Sequence, residues 1–308
     1  MSHPSSVLAV PDPVRRRAEA TGEVGRAWLQ ALPDIAADLA GAWDLSLGPV
    51  LAGGTEGLVL AARSEVFGPC VLKLSPPTSQ TADLERAVLT TAQGRGYARL
   101  HAHDASRRAV LLERLGPPLA DSGLDLDTQL DRLCDALEQA WIRPAQPQGY
   151  MTGAAKAESL AAFIQALWSE LGRPAAPIDA ALRAAETCGA AYDPEAAVLA
   201  HGDPHPWNAL EDPAAPGRYR FVDPEGLFVE PAYDLGVCLR GGAGESLADA
   251  AALARRRCRR LAERTGVDPL AIWRWALLER VSTGLLCLQL GIEGGAEMLA
   301  VAGAWAAD

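Results

Sequence analysis

The sequence has no C-x-x-C pair, no Walker-type phosphate loop, no internal repeat and no low-complexity tract. Its six cysteines (Cys70, Cys134, Cys188, Cys238, Cys258 and Cys287) stand singly and far apart, so no disulfide framework is written into the chain and buried free thiols are expected. Without G-K-[ST] behind a glycine-rich turn, a P-loop nucleotidase is excluded. Positive charge is scarce. Lys and Arg number 28 against 39 Asp and Glu, a net charge of −11 that argues against a nucleic-acid partner, whose phosphates require a basic face. Long apolar runs are also missing. Residues 271–290 form the most apolar late stretch, but Arg274, Glu279, Arg280 and Gln289 interrupt it, so it reads as a buried helix and no membrane partner is expected. Arg15, Arg16 and Arg17 lead into Ala18, Glu19 and Thr21 with no apolar run behind them, unlike a secretion signal, and a cytoplasmic location is expected.

What is present is the composition of an ordinary folded chain. Of 308 residues, 49% are hydrophobic and 22% charged, enough for one large core or two lobes. Residues 23–43 place Trp28, Leu32, Ile35, Leu39 and Trp43 at intervals of three and four, predicting one helix face. Short apolar runs at 58–62, 70–74 and 109–115, punctuated by Gly and Pro, predict strands of one antiparallel sheet. Residues 82–92, with Leu84, Val88 and Leu89 at helical spacing, predict a helix packed on it. After Gly116-Pro117-Pro118 the character turns helical, with helices predicted at 128–142, 154–171 and 177–188 and over much of 247–290. Strand-like pieces at 198–201 and 219–222 bracket a polar loop. The expected fold class is α+β, with two domains, 1–115 and 116–308, joined by a hinge at 115–118.

That polar loop carries the densest chemistry: His201-Gly202-Asp203-Pro204-His205-Pro206-Trp207-Asn208, followed fifteen residues after the Asn by Asp223 in Val222-Asp223-Pro224-Glu225. Phosphoryl transfer accounts for the pattern. It needs one carboxylate to orient and accept the proton of the attacking hydroxyl, and an amide oxygen with a second carboxylate to hold the Mg²⁺ that bridges the ATP phosphates. Asp203 fits the first role, and Asn208 with Asp223 the second. Asp203 precedes Asn208 by five residues, the spacing of a protein-kinase catalytic loop. Two other readings stand beside this one. The segment is also a proline-rich turn whose Asp and Asn bond locally, and His201, Asp203 and His205 spell H-x-D-x-H, three ligands for the zinc of a hydrolase.

The front half supplies what a kinase requires. Lys73 stands alone in the apolar run Val71-Leu72-Lys73-Leu74, as expected of a lysine that meets the α- and β-phosphates, and Glu85, twelve residues on, is the natural carboxylate to orient it. Gly53, Gly54 and Thr55 lie in a glycine-rich turn able to lay N–H groups over phosphates. Glu113 and Leu115, at the hinge, offer main-chain groups to the adenine edge. Asp234, in Tyr233-Asp234-Leu235-Gly236, is expected to brace the catalytic loop from a helix start. Glu225, Glu230 and Glu279 are the acids that would meet a cationic acceptor.

With these residues in place, the chain resembles the aminoglycoside phosphotransferase family and, within it, the streptomycin and hydroxyurea phosphotransferase branch. Beyond the catalytic loop, Gly25-Arg26-Ala27-Trp28-Leu29, Leu111-Leu112-Glu113-Arg114-Leu115, Asp223-Pro224-Glu225 and Trp275-Ala276-Leu277-Leu278-Glu279-Arg280 carry the likeness. The resemblance implies a protein-kinase-like two-lobed fold, with an N-lobe antiparallel sheet and one packed helix and a mainly helical C-lobe that holds the active site. It implies Asp203 as base, Asn208 and Asp223 as Mg²⁺ ligands, and Lys73 with Glu85 on the ATP side. The implied partner is a small hydroxylated molecule, an aminoglycoside such as streptomycin first. A sugar, an amino alcohol or a hydroxyurea-like compound is the alternative, and a catalytically silent nucleotide-binding protein is the reading from another class. Pro204, Pro206 and Trp207 depart from the looser loop of such enzymes.

Overall fold

Between Leu115 and Gly116, where the periodicity changes, the chain divides into two compact units. The computed structural model describes residues 8–52, 57–144, 147, 149–172, 175–241 and 246–307.

The first unit opens with helices α1 (Asp12–Ala20) and α2 (Glu23–Ala42). Five antiparallel strands follow, β1 (Leu45–Val50), β2 (Leu58–Ser64), β3 (Gly68–Leu74), β4 (Leu100–Asp104) and β5 (Ala109–Glu113), in the order β1-β2-β3-β5-β4. Helix α3 (Ala82–Ala92) lies between β3 and β4 in the chain. Spacing alone located β2, β3 and β5, which carry the buried leucines. The edge strands β1 and β4 escaped it, because Leu-Ser-Leu-Gly-Pro-Val is mostly exposed, Leu-His-Ala-His-Asp is mostly half-buried, and neither shows sustained apolar alternation. Trp28, Leu32, Ala36 and Leu39 of α2 close a core with Leu58, Leu60, Leu72, Leu74 and Leu111, while Ile35 and Trp43 pack at its rim.

The second unit is built on helices α4 (Leu126–Ala140), α5 (Gly153–Leu171) and α6 (Ala175–Ala190), close to where periodicity put them. The two-residue strand β6 (Met151–Thr152) leads into α5. Four short strands follow α6: β7 (Val198–Ala200), β8 (Ala209–Glu211), β9 (Tyr219–Phe221) and β10 (Leu227–Val229). β8 and β9 form a hairpin, whereas β10 lies between β6 and β7. Helices α7 (Ala232–Cys238), α8 (Ala250–Thr265), α9 (Pro269–Leu290) and α10 (Gly295–Ala306) complete the unit, the last beyond the expected helical span. Helix α9 starts sharply because Asp268 accepts the Leu270 N–H and Pro269 occupies the first turn; it stops at Gly291, whose φ of +67° suits glycine. It is buried on nearly every side, against α5, α6, α7, α8 and α10, which makes it the axis of the unit. Among the described residues no helix is long and apolar enough to cross a membrane. The six cysteines are unpaired.

Candidate active site

Strand β7 delivers the chain to His201, and the loop from there to β8 is held from below by one carboxylate. Asp234 of α7 is fully buried. Its Oδ2 accepts the His201 N–H at 2.9 Å and the Trp141 Nε1–H at 3.0 Å, and its Oδ1 accepts the Gly202 N–H at 2.9 Å. Burial pushes its pKa up, while His201 and these donors pull it back. Asp234 thus braces the loop as expected, but the main-chain N–H groups it satisfies are the loop's own rather than those of α7.

The His201 ring is buried too. Its Nδ1 accepts the Asp203 N–H at 3.1 Å, which leaves the proton on Nε2, 2.9 Å from Val222 O. Burial pulls its pKa down, favouring this neutral form. With both nitrogens committed to the main chain, His201 is unavailable to a metal, and the zinc-hydrolase reading of His201, Asp203 and His205 fails. Among the described residues no three His, Cys, Asp or Glu side chains gather as a metal-binding group.

Next to the histidine the backbone turns at Gly202, φ +96°, where an added Cβ would sit 2.7 Å from Glu225 Cβ. Only glycine fits there. The turn presents Asp203, whose Oδ1 lies 2.5 Å from Arg240 Nη2 and whose Oδ2 lies 3.2 Å from His205 Nε2. Burial alone would raise the Asp203 pKa; the His205 hydrogen bond and the Arg240 charge outweigh it and hold this carboxyl well below the usual range.

Asn208 and Asp223 stand at the open end of the β8–β9 hairpin. Ala209 pairs with Phe221, and the Val222 N–H donates to Asn208 O at 2.9 Å. The Asn208 Nδ2 donates to Asp203 O at 3.0 Å, so the amide is oriented and its oxygen is the atom left to meet a cation. Asp223 takes a left-handed conformation, φ +57°, that non-glycine residues rarely adopt and that concentrates at functional sites. One amide oxygen and one carboxylate are hard-cation donors, so the residues present fit Mg²⁺.

In the first unit, the β3 side chain Lys73 and the α3 side chain Glu85 form a buried ion pair, with Nζ 2.8 Å from Oε1 and 2.7 Å from Oε2. The pair predicted from spacing therefore exists, and both members are shielded from water. Near the end of the unit, Glu113 donates its N–H to Arg99 O at 2.8 Å and accepts the Arg99 N–H on Oε2 at 3.2 Å. Leu115 is buried, and no hydrogen bond between described residues engages its main chain. Gly53, Gly54 and Thr55 lie outside the described residues.

The three acids nominated for the acceptor differ in their surroundings. Glu225 Oε2 faces Lys156 Nζ of α5 at 3.7 Å, and burial raises the Glu225 pKa against the pull of that lysine. Glu230 Oε1 accepts the Asp193 N–H at 2.6 Å, holding the turn after α6. Glu279, on α9, is 4% exposed; Oε1 accepts Tyr233 O–H at 2.6 Å and Oε2 is 3.9 Å from Arg240 Nη1. Sequence reasoning missed Arg240, Lys156 and Tyr233. Tyr233 adjoins the quoted Asp234 but meets Glu279, 46 residues away; Arg240 and Lys156 lie outside the motifs, and no local signal marks a side chain that arrives from a distant segment.

Comparison with known proteins places these features. Residues 43–291 match the family model described as aminoglycoside/hydroxyurea antibiotic resistance kinase. The chain is 30% identical over 285 residues to streptomycin 6-kinase of Streptomyces glaucescens and 29% identical over 280 residues to that of Streptomyces griseus, with 88% of each chain covered in both cases. Among solved structures, choline kinase LicA from Streptococcus pneumoniae superposes with a TM-score of 0.61 at 14% identity, covering 89% of this chain and 99% of that one. Aminoglycoside phosphotransferase APH(3'')-Id from Streptomyces rimosus, in complex with ADP and streptomycin, gives 0.54 at 17%, covering 82% and 98%. At these identities the structures speak to fold, the protein-kinase-like α+β fold of small-molecule kinases.

Proposed function

Because the chain belongs to the aminoglycoside/hydroxyurea antibiotic resistance kinase family, a family of small-molecule kinases, we propose that it transfers the γ-phosphate of ATP to a hydroxyl of streptomycin or a similar cationic aminocyclitol. The observation that carries the substrate is the 30% identity to a streptomycin 6-kinase over 88% of both chains.

In this reading Asp203 accepts the hydroxyl proton as the acceptor oxygen bonds to the γ-phosphorus and the bond to the bridging oxygen of ADP breaks. A carboxylate held ionised is a weak base that orients the hydroxyl and takes its proton late, which suits a loose, metaphosphate-like transition state. Asn208 and Asp223 hold Mg²⁺, which when bound neutralises charge on the phosphates. Lys73, fixed by Glu85, meets the α- and β-phosphates. Gly53, Gly54 and Thr55 would offer N–H groups to the phosphates. With the Glu113 N–H taken by Arg99 O, the Glu113 carbonyl and the main chain at Leu115 would meet the adenine. Residues 1–115 thus bind nucleotide, and 116–308 carry catalysis and acceptor binding. Of the three nominated acids, Glu225 suits an acceptor cation best, since its ionic partner Lys156 stands 3.7 Å away, whereas Glu230 and Glu279 accept hydrogen bonds of 2.6 Å from Asp193 and Tyr233. The ATP requirement suits a cytoplasmic enzyme.

The test is an ADP-release assay with Mg-ATP against streptomycin, other aminoglycosides, hydroxyurea, choline and simple sugars. Streptomycin turnover is expected, with a KM that rises with salt because a screening length of about 8 Å at physiological ionic strength shortens further. No phosphorylation of streptomycin beside robust turnover of a neutral sugar overturns the substrate while leaving the kinase in place.

A further inference from the structure

The segment that follows α7 is gripped by helix α9 in two ways at once. Arg280, 1% exposed, donates from Nη2 to Leu239 O and to Gly241 O, both at 3.0 Å. These are the carbonyls on either side of Arg240. The same guanidinium lies over the Trp305 ring, 4.5 Å from its centroid. Its neighbour Glu279 approaches the Arg240 side chain and is itself held by Tyr233 of α7. Removing a guanidinium from water is costly, so a buried arginine whose Nη2 bonds both of these carbonyls marks a backbone whose position matters. What that backbone presents is the Arg240 guanidinium, 2.5 Å from Asp203 Oδ1.

We infer that Arg240 is a positioning residue for Asp203, set in place by the consecutive pair Glu279 and Arg280. The inference rests on Asp203 being the base. By occupying Oδ1, Arg240 fixes the rotation of the carboxylate and leaves Oδ2, shared with His205, to meet the acceptor hydroxyl. It also supplies positive charge where Asp203, Glu225 and Glu279 would otherwise repel one another. Glu279 accordingly acts through Arg240 rather than on the acceptor.

The experiment compares Arg240→Ala, Arg240→Lys, Glu279→Gln and Asp203→Asn with the intact enzyme, using Mg-ATP and streptomycin, or whichever acceptor the panel shows to be turned over. Misplacing a catalytic group by about 1 Å costs about 100-fold in rate, so Arg240→Ala is expected to lose that much in kcat with little change in KM for ATP. Guanidinium ion at non-denaturing concentration should restore part of the loss, and Arg240→Lys should lie between. Glu279→Gln, which keeps a hydrogen-bonding side chain beside Tyr233, should lose kcat more mildly. A loss confined to KM for ATP, or a kcat in Arg240→Lys and Glu279→Gln equal to that of the intact enzyme, overturns the inference; these two variants decide it if Arg240→Ala does not fold. Asp203→Asn separates the two levels. If it is inactive while the Arg240 variants turn over normally, only the positioning role falls. If it turns over normally, the base assignment falls and the positioning role with it.

Discussion

The indole N–H of Trp141 donates to Asp234 Oδ2 at 3.0 Å across 93 residues of chain. Trp141 is the residue that ends α4, and Asp234 lies in α7, so the bond ties both helices to the start of the loop between β7 and β8 through the acid that also holds His201 and Gly202. Asp234→Ala would strand all three donors in a buried setting, at about 1–3 kcal/mol for each group left unsatisfied. Asp234→Asn keeps one acceptor oxygen. The urea midpoint should fall in the order native, Asn, Ala; equal midpoints for native and Ala would show that the network contributes nothing.

Lys73 and Glu85 meet with both carboxylate oxygens engaged and both side chains buried. Removing either partner leaves an uncompensated buried charge, so Lys73→Met and Glu85→Gln should each lower ATP affinity and stability, and the double variant should cost less than the sum. A double-mutant cycle on ATP binding measures the coupling. Strict additivity would mean that the pair does not act as a unit.

Asn208→Ala and Asp223→Ala each remove one oxygen donor for a hard cation. Isothermal titration should show weaker ATP binding in the presence of Mg²⁺ and little change in its absence. Unchanged Mg-ATP affinity in both variants would overturn the metal assignment.

Helices α4 and α8 are joined by a row of ion pairs: Asp127 with Arg256 and Arg257, Asp131 with Arg260, and Asp135 with Arg264. The Arg257 and Arg260 hydrogen bonds hold Asp127 and Asp131 below the ordinary aspartate range. A carboxylate with a lowered folded pKa stabilises above its unfolded value, about 3.9, and loses that contribution as pH falls through the folded one. Thermal stability should therefore drop below about pH 4, and Asp131→Asn should flatten the drop. The Arg260 side chain is 46% exposed, so solvent screens the pair and its effect should be small. An acid limb identical in Asp131→Asn would place the titrating groups elsewhere.

Local spacing determined a large part of this protein. The five residues from Asp203 to Asn208 and the fifteen to Asp223 were legible because two tight turns and a hairpin convert short separations directly into proximity. Lys73 and Glu85 were legible for a similar reason, one on a buried strand and the other on the helix that follows it. Helices α2, α5 and α6 announced themselves by periodicity, since each turns one apolar stripe to a core. The edge strands did not, because β1 is mostly exposed and β4 mostly half-buried, so neither needs an alternating apolar face. Only the tertiary structure decided that Arg240 meets Asp203, that Arg280 grips the carbonyls beside it, and that Glu279 answers to Tyr233. These contacts span 37 to 46 residues and join α7, the segment after it, the loop before β8 and α9, and encounters between segments so far apart leave no period in the sequence of any of them.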